Sequence, residues 1–118
     1  MSPRDWPDRV RDMLDALDEI GVFTSGMDRE SFLADEKTQK AVYYNLATIG
    51  EAVVHIPQEV RDLAEEIPWR LIVDTRNFFV HAYFRVDAQR VWDTVVHDLP
   101  KLSGQLGRLL KSHASEDS

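Results

Sequence analysis

The sequence predicts an all-α fold, an antiparallel up-and-down bundle of about five helices, and three observations support this. Apolar residues recur at three-to-four spacing along most of the chain. Alternation of apolar and polar residues never lasts for more than a few positions, so no strand is expected. Aspartate, glycine and proline stand between the apolar runs, where they cap or interrupt helices. With 118 residues, the chain fits a single domain, 1–118.

The first half of the chain contains two predicted long helices separated by a turn. Asp5 is expected to cap the first helix, which ends at Gly21. The apolar stripe of this helix is formed by Val10, Met13, Leu14, Leu17 and Ile20. A short helical turn at 28–33 follows, and Asp35 is expected to cap the second long helix. The stripe of that helix is formed by Val42, Leu46, Ile49 and Val53.

Two prolines indicate where helices start in the second half of the chain. The missing N–H of proline has no partner in the first turn of a helix, so proline is tolerated there. Pro57 and Pro68 therefore bound a short predicted helix, at about 57–66. A densely apolar helix is expected to run from Pro68 to about Tyr83.

The last predicted helix begins after a cap at Asp87 and contains Pro100. Its in-phase apolar residues are Val91, Val95, Leu99, Leu102, Leu106 and Leu109. Because this periodicity continues across Pro100, we expect one bent helix rather than two separate ones. The polar residues 112–118 are expected to form a frayed tail.

The composition narrows the classes of function. Hydrophobic residues make up 43% of the chain and charged residues 30%, which is typical of a soluble globular protein. No apolar stretch approaches the roughly 20 residues of a membrane span, and residues 1–11 do not resemble a secretory signal. A cytoplasmic protein without membrane contact is therefore expected. The absence of cysteine excludes disulfides, thiolate metal sites and cysteine nucleophiles.

The net charge of -7 argues against a nucleic-acid ligand, because phosphate binding usually requires a basic surface. The charge is unevenly distributed, however. Residues 68–90 contain four arginines and two acids, so this window carries +2 and the rest of the chain carries -9. Arginines that merely solvate a helix face would produce the same pattern.

A helical wheel of residues 68–85 separates two candidate functional residues. One polar stripe is formed by Arg70, Asp74, Asn77, His81 and Arg85. Arg76 lies on the opposite, apolar side, because five residues of ideal helix rotate it about 140° from His81. The two side chains can converge only if the helix ends or distorts near Val80, or if a second copy of the helix crosses the first in a dimer.

A histidine and an arginine that converge are sufficient to cleave RNA without a metal ion or another cofactor. His81 would accept the ribose 2'-hydroxyl proton or donate a proton to the leaving oxygen, since imidazole titrates near neutrality. Arg76 would stabilise the charge that develops on the phosphate oxygens. Asn77, one turn before His81, could hold the imidazole in one tautomer or contact the substrate.

Several simpler interpretations remain open for the same residues. Arg76 could be an ion-pair partner for a glutamate such as Glu51, and His81 could be an ordinary solvent-facing histidine. Glu51 with His55 shows the one-turn spacing of helical metal ligands, as do Asp93 and His97. Each pair supplies only two ligands and neither completes a zinc set, so no metal is expected.

Motifs throughout the chain resemble the HepT-like branch of the HEPN superfamily. The central motif is Arg76-Asn77 followed by His81 and Tyr83, that is, Arg, four residues, His, one residue, Tyr. The surrounding motifs that fit the same pattern are Asp35-Glu36-Lys37-Thr38-Gln39, Asn45-Leu46, Ile49-Gly50-Glu51-Ala52, Ile67-Pro68-Trp69-Arg70, Val91-Trp92 and Asp98-Leu99-Pro100. The resemblance covers roughly residues 9–110.

The resemblance implies a homodimer in which two motif helices form one composite, metal-independent ribonuclease site. It further implies a toxin that is encoded beside a minimal nucleotidyltransferase (MNT) antitoxin. This partner would transfer AMP from ATP to Tyr83, placing phosphates beside the cleft. Ala82 is a departure, since relatives often carry an acidic residue there. The alternative is a non-catalytic helical module that binds a nucleotidyltransferase.

Overall fold

A computed structural model describes residues 6–81 and 86–117, and the described chain is helical without any strand, which confirms the predicted all-α class. The helices are α1 (Trp6–Phe23), α2 (Arg29–Leu33), α3 (Glu36–Val54), α4 (Gln58–Arg61), α5 (Trp69–His81), α6 (Ala88–Asp93) and α7 (Leu99–Asp117). A 3-10 turn at Asp62–Ala64 extends α4, and a π-helical segment at Thr94–Asp98 joins α6 to α7. The predicted cap at Asp5 lies outside the described residues.

Aspartate side chains cap the N-termini of α2, α3 and α6. The Oδ1 atom of Asp28 accepts a hydrogen bond from the backbone N–H of Ser31 at 2.8 Å. Asp35 accepts from the backbone N–H of Thr38 at 3.0 Å and from its hydroxyl at 2.7 Å. The backbone bond is the main reason that the pKa of Asp35 is lowered from 3.8. The predicted caps at Asp35 and at Asp87, which accepts from the Gln89 N–H at 3.1 Å, are confirmed.

The core lies where α3 packs between α1 and α5, with α7 packed against α1. The residues of the predicted stripes in α1, in α3 and in the helical run from α6 to α7 are buried, apart from Leu14 and Val95, which are only partly buried. Fully buried side chains include Val10, Met13, Ile20, Phe32, Val42, Val53, Ile67 and Leu106. Over residues 6–81 and 86–117, no helix combines the length and apolar character that a membrane crossing requires.

The chain from Ala88 to Asp117 is one continuous run of helical turns, as the periodicity across Pro100 predicted. The backbone N–H of Leu99 donates to the carbonyl of Thr94, five residues earlier, so the helix widens immediately before Pro100. Proline lacks an N–H, and its ring would collide with the carbonyl four residues earlier in a regular helix. The local response to Pro100 is thus a π-helical turn. Residues 112–117, which were expected to form a frayed tail, belong to α7, because this helix continues to Asp117.

Candidate active site

The start of α5 is tied to the end of α3 through the short α4. Arg61 donates from Nε to the carbonyl of Ile56 at 3.0 Å and from a terminal nitrogen to the carbonyl of Val53 at 2.7 Å. The indole N–H of Trp69 in turn donates to the carbonyls of Arg61 and Ala64, at 3.2 Å and 3.1 Å. Because these bonds satisfy carbonyls at helix ends, they fix the position of α5 relative to α3.

One face of α5 is buried against α3. Trp69, Ile72 and Phe79 are each less than 10% exposed. The ring of Phe79 stacks on Tyr43 of α3, with ring centroids 5.3 Å apart and planes inclined by 23°. The apolar side predicted from the wheel is thereby confirmed for these three residues of α5.

Arg76 lies at the edge of this buried face and forms an ion pair with Glu51 of α3. Its Nε lies 2.9 Å from Glu51 Oε2, and its Nη2 lies 2.7 Å from the same oxygen. The Arg76 side chain is 30% exposed and that of Glu51 is 52% exposed. The interpretation of Arg76 as an ion-pair partner of Glu51 is confirmed, and both side chains of the pair are partly exposed to solvent.

Asn77 is the second residue that binds the Arg76 guanidinium. Its Oδ1 accepts a hydrogen bond from Nη1 of Arg76 at 2.8 Å. A guanidinium has five N–H bonds, of which Glu51 and Asn77 together occupy three. The two that remain, one on each terminal nitrogen, have no partner among the described residues. Asn77 therefore contacts Arg76 directly, a role that the sequence did not predict for it.

The backbone of α5 continues as an α-helix from Trp69 through His81. No break separates Arg76 from His81, so the rotation of about 140° between them holds for the backbone. The side chain of His81 and the whole of Tyr83 lie outside the described part of the structure.

The solvent side of α3 and α5 mixes charged and apolar residues. On α5, Arg70 and Asp74 are exposed neighbours, with Nε and Oδ2 3.9 Å apart. Tyr44 on α3 is 73% exposed, and Leu71 and Phe78 on α5 are 63% and 44% exposed. These large apolar side chains therefore form part of the solvent-facing surface of the two helices.

Of the two residue pairs with metal-ligand spacing, Glu51 and His55 are in contact. Nε2 of His55 lies 3.8 Å from Oε1 of Glu51, so the two residues are in contact through the oxygen that does not bind Arg76. Within 6–81 and 86–117, no three histidine, aspartate or glutamate side chains come together as metal ligands.

Comparison with known proteins assigns the family. The profile of a family described as "Ribonuclease HepT-like" matches residues 13–109. The chain belongs to the HepT-like ribonuclease family. A "Probable ribonuclease HepT" of Thermococcus cleftensis is 42% identical over 108 residues, covering 92% of this chain and 98% of the relative. No solved structure matches the chain significantly.

Further relatives, which are named as candidate RNases, come from Methanocaldococcus jannaschii. One is 33% identical over 106 residues, covering 90% of this chain and 88% of the relative. Another is 32% identical over 117 residues, covering 99% of this chain and 97% of the relative. The similarity therefore extends over nearly the full length of both chains, including α3 and α5.

The role of Gly50 in the close packing of α3 against Arg76 was not predicted from the sequence. A Cβ atom added to Gly50 would overlap the Cβ of Arg76 and lie 3.0 Å from the carbonyl oxygen of Ile72. Only a glycine permits α5 to lie this close to α3 at Arg76. A glycine inside a helical pattern costs about 1 kcal/mol relative to alanine and usually has a packing reason, so its position in the sequence was the signal that could have identified it.

Proposed function

We propose that this chain is a metal-independent endoribonuclease whose active site uses Arg76 and His81. The observation that supports this most directly is the set of hydrogen bonds that the Arg76 guanidinium makes. It is held by Glu51 and Asn77 at the surface, and one N–H on each terminal nitrogen remains for a ligand. Two N–H groups of a guanidinium match two oxygens of a phosphate. Membership of a ribonuclease family makes an RNA phosphate the natural ligand.

The proposed reaction is an intramolecular transesterification. His81 accepts the proton of a ribose 2'-hydroxyl, and the 2'-oxygen attacks the adjacent phosphorus. The bond from phosphorus to the 5'-oxygen breaks, and this oxygen takes a proton from an imidazolium. Arg76 stabilises the additional negative charge on the non-bridging oxygens in the transition state. The products are a 2',3'-cyclic phosphate and a 5'-hydroxyl, so no metal-bound water is needed.

The site is proposed to form between two copies of the chain. The unbroken α5 separates the backbone positions of Arg76 and His81 by about 140° around one helix, so we propose that the two residues of one site come from different protomers. A second α5 crossing the first would bring the arginine of one protomer to the histidine of the other. The exposed apolar residues Tyr44, Leu71 and Phe78 lie on the same two helices and supply apolar area for such an interface.

We further propose that the enzyme is a toxin that an MNT-type nucleotidyltransferase antitoxin inactivates. In this proposal the hydroxyl of Tyr83 attacks the α-phosphate of ATP, and pyrophosphate leaves. The added AMP places negative charge two residues after His81, where it would repel RNA and compete for Arg76.

Ribonuclease activity is tested with purified protein and a labelled RNA in the presence of EDTA. Wild type is expected to cleave the RNA and to leave 2',3'-cyclic phosphate ends, whereas His81→Ala is expected to be inactive. Replacement of the attacking 2'-hydroxyl by hydrogen should abolish cleavage at the adjacent phosphodiester bond. Loss of activity with EDTA, or 3'-hydroxyl products, would contradict the proposed chemistry.

The toxin and its inactivation need separate measurements. Expression of wild type should arrest bacterial growth, and His81→Ala should relieve the arrest. Incubation with the partner nucleotidyltransferase and ATP should add mass in AMP increments to wild type and none to Tyr83→Phe. An unmodified wild type would refute the proposed mode of inactivation without affecting the ribonuclease proposal.

The second candidate is a non-catalytic helical module that binds a nucleotidyltransferase. The net charge of -7 and the exposed apolar side chains on α3 and α5 favour a protein partner. If purified protein leaves RNA intact at low salt and still binds the nucleotidyltransferase tightly, this candidate replaces the enzyme.

A further inference from the structure

We infer that Gly50 and Glu51 on α3 form a seat that fixes Arg76 in the orientation required for phosphate binding, with Glu51 as the positioning residue. This inference rests on the proposed ribonuclease function for its catalytic consequence. Its structural content is independent of that function, because both contacts of the seat are present in the described chain.

Gly50 fixes the base of the arginine side chain. The position that a Cβ of Gly50 would occupy is taken by the Cβ of Arg76, and the Cγ of Arg76 lies 3.0 Å from it. The first carbons of the arginine therefore lie directly on the backbone of α3. Because packed side chains have little free volume, this contact removes rotamer freedom close to the backbone.

Glu51 fixes the far end of the same side chain. One carboxylate oxygen, Oε2, accepts both from Nε at 2.9 Å and from Nη2 at 2.7 Å. These bonds occupy one edge of the guanidinium plane, so rotation of the plane would break them. Asn77 holds Nη1 at 2.8 Å. Among the contacts with described residues, one N–H bond on each terminal nitrogen therefore stays unused.

A carboxylate beside a phosphate-binding arginine could act in the opposite sense, by competing with the RNA. The geometry favours positioning, because Glu51 uses the Nε edge and leaves one N–H on each terminal nitrogen available. The two roles predict opposite kinetic effects. Removal of a positioning carboxylate lowers kcat, whereas removal of a competitor lowers KM and raises the cleavage rate.

The test compares Glu51→Ala and Glu51→Gln with wild type in steady-state cleavage of one RNA substrate. Glu51→Ala is expected to lower kcat by about 10–100-fold with little change in KM, since misplacement of a catalytic group by about 1 Å costs this much. Glu51→Gln is expected to recover most of the loss, because its amide oxygen replaces the single accepting oxygen. An unchanged kcat, or a faster Glu51→Ala enzyme, would overturn the inference.

A matched control removes a solvent-exposed ion pair elsewhere. Arg11 and Asp8 on α1 lie 2.9 Å apart and are similarly exposed, so Asp8→Ala should leave kcat and KM unchanged. The melting temperatures of both alanine variants should stay close to that of wild type, since exposed ion pairs contribute little to stability. A large drop in the melting temperature of Glu51→Ala that Glu51→Gln does not recover would indicate a structural role for Glu51 and refute positioning.

An NMR measurement separates failure of the seat from failure of the proposed function. The Nε–H signal of Arg76, assigned by its loss in Arg76→Lys, should exchange slowly with water in wild type and faster in Glu51→Ala. This result would support the seat even if the protein cleaves no RNA. Equal exchange rates in the two proteins would overturn the seat whatever the enzymatic result.

Discussion

Gly50 of α3 lies directly against the first side-chain carbons of Arg76 on α5, and no other residue type fits this contact without displacing one of the helices. The two residues are 26 positions apart in the sequence. Their contact joins the packing of the bundle to the orientation of the proposed catalytic arginine, so packing variants near it should change both stability and activity.

Substitution of Gly50 by alanine tests this relationship. Gly50→Ala is expected to lower the free energy of unfolding by about 1–3 kcal/mol, because overpacking forces α3 and α5 apart. Urea denaturation measures the change. Gly107→Ala on α7 is the control, since no described atom beyond its own stretch of helix lies within 4 Å of its added Cβ. That variant should be stabilised by about 0.5–1 kcal/mol through helix propensity. Stabilisation of both variants would contradict the contact described here.

Replacement of Arg76 by lysine keeps the charge and removes the planar set of donors. Arg76→Lys is expected to lower kcat about 100-fold, because an ammonium group provides only a point charge where the transition state needs donors in a fixed geometry. Arg70→Lys is the control on the same helix, where the Arg70 side chain is 93% exposed and its cleavage kinetics should match wild type. An active Arg76→Lys enzyme would show that charge alone is sufficient.

The cap at Asp35 predicts a pH dependence of stability. Folding lowers the pKa of Asp35 from 3.8, chiefly through the Thr38 backbone N–H, so its contribution is present well above pH 3.8. The contribution is lost as pH falls through 3.8 toward the lower folded value, because the carboxylate must then be protonated. Urea midpoints from pH 6 to pH 3 should therefore fall less steeply for Asp35→Asn than for wild type. Parallel curves would refute the assignment.

The sequence predicted the features that depend on neighbours along the chain. The caps at Asp35 and Asp87 and the apolar stripes were predictable because their determinants lie within one or two helical turns. The location of Arg76 on the α3 side of α5 also followed from the wheel, and Glu51 was considered as its partner. Helical periodicity thus predicted both the bundle and the side of α5 on which Arg76 lies.

Other features depend on how two distant segments approach each other. The fit of Arg76 on Gly50 requires the distance between two helix axes, which periodicity does not contain. The hydrogen bond from Arg76 to Asn77 joins neighbours in sequence that the wheel placed on different faces, since long side chains reach beyond their own face. At Pro100, a kink was expected, but periodicity does not specify the form that it takes, a π-helical turn immediately before the proline.

The proposed dimer makes a prediction that a single-protomer site does not. Co-expression of Arg76→Ala and His81→Ala chains with different tags, followed by purification on both tags, isolates the mixed dimer. If each site takes arginine from one protomer and histidine from the other, one site keeps both groups and the second loses both. The mixed dimer should then have about half of the wild-type activity, because a two-fold dimer contains two equivalent sites.

The parent variants provide the comparison, since each homodimer lacks one group in both sites and should be inactive. If Arg76 and His81 acted from the same protomer, each site of the mixed dimer would lack one group and activity would be absent. The difference between half activity and none therefore measures which chain supplies each residue. Failure to recover any protein on both tags would count against the dimer itself. The unbroken helix from Trp69 to His81 favours the first outcome, because it separates the two backbone positions by about 140°.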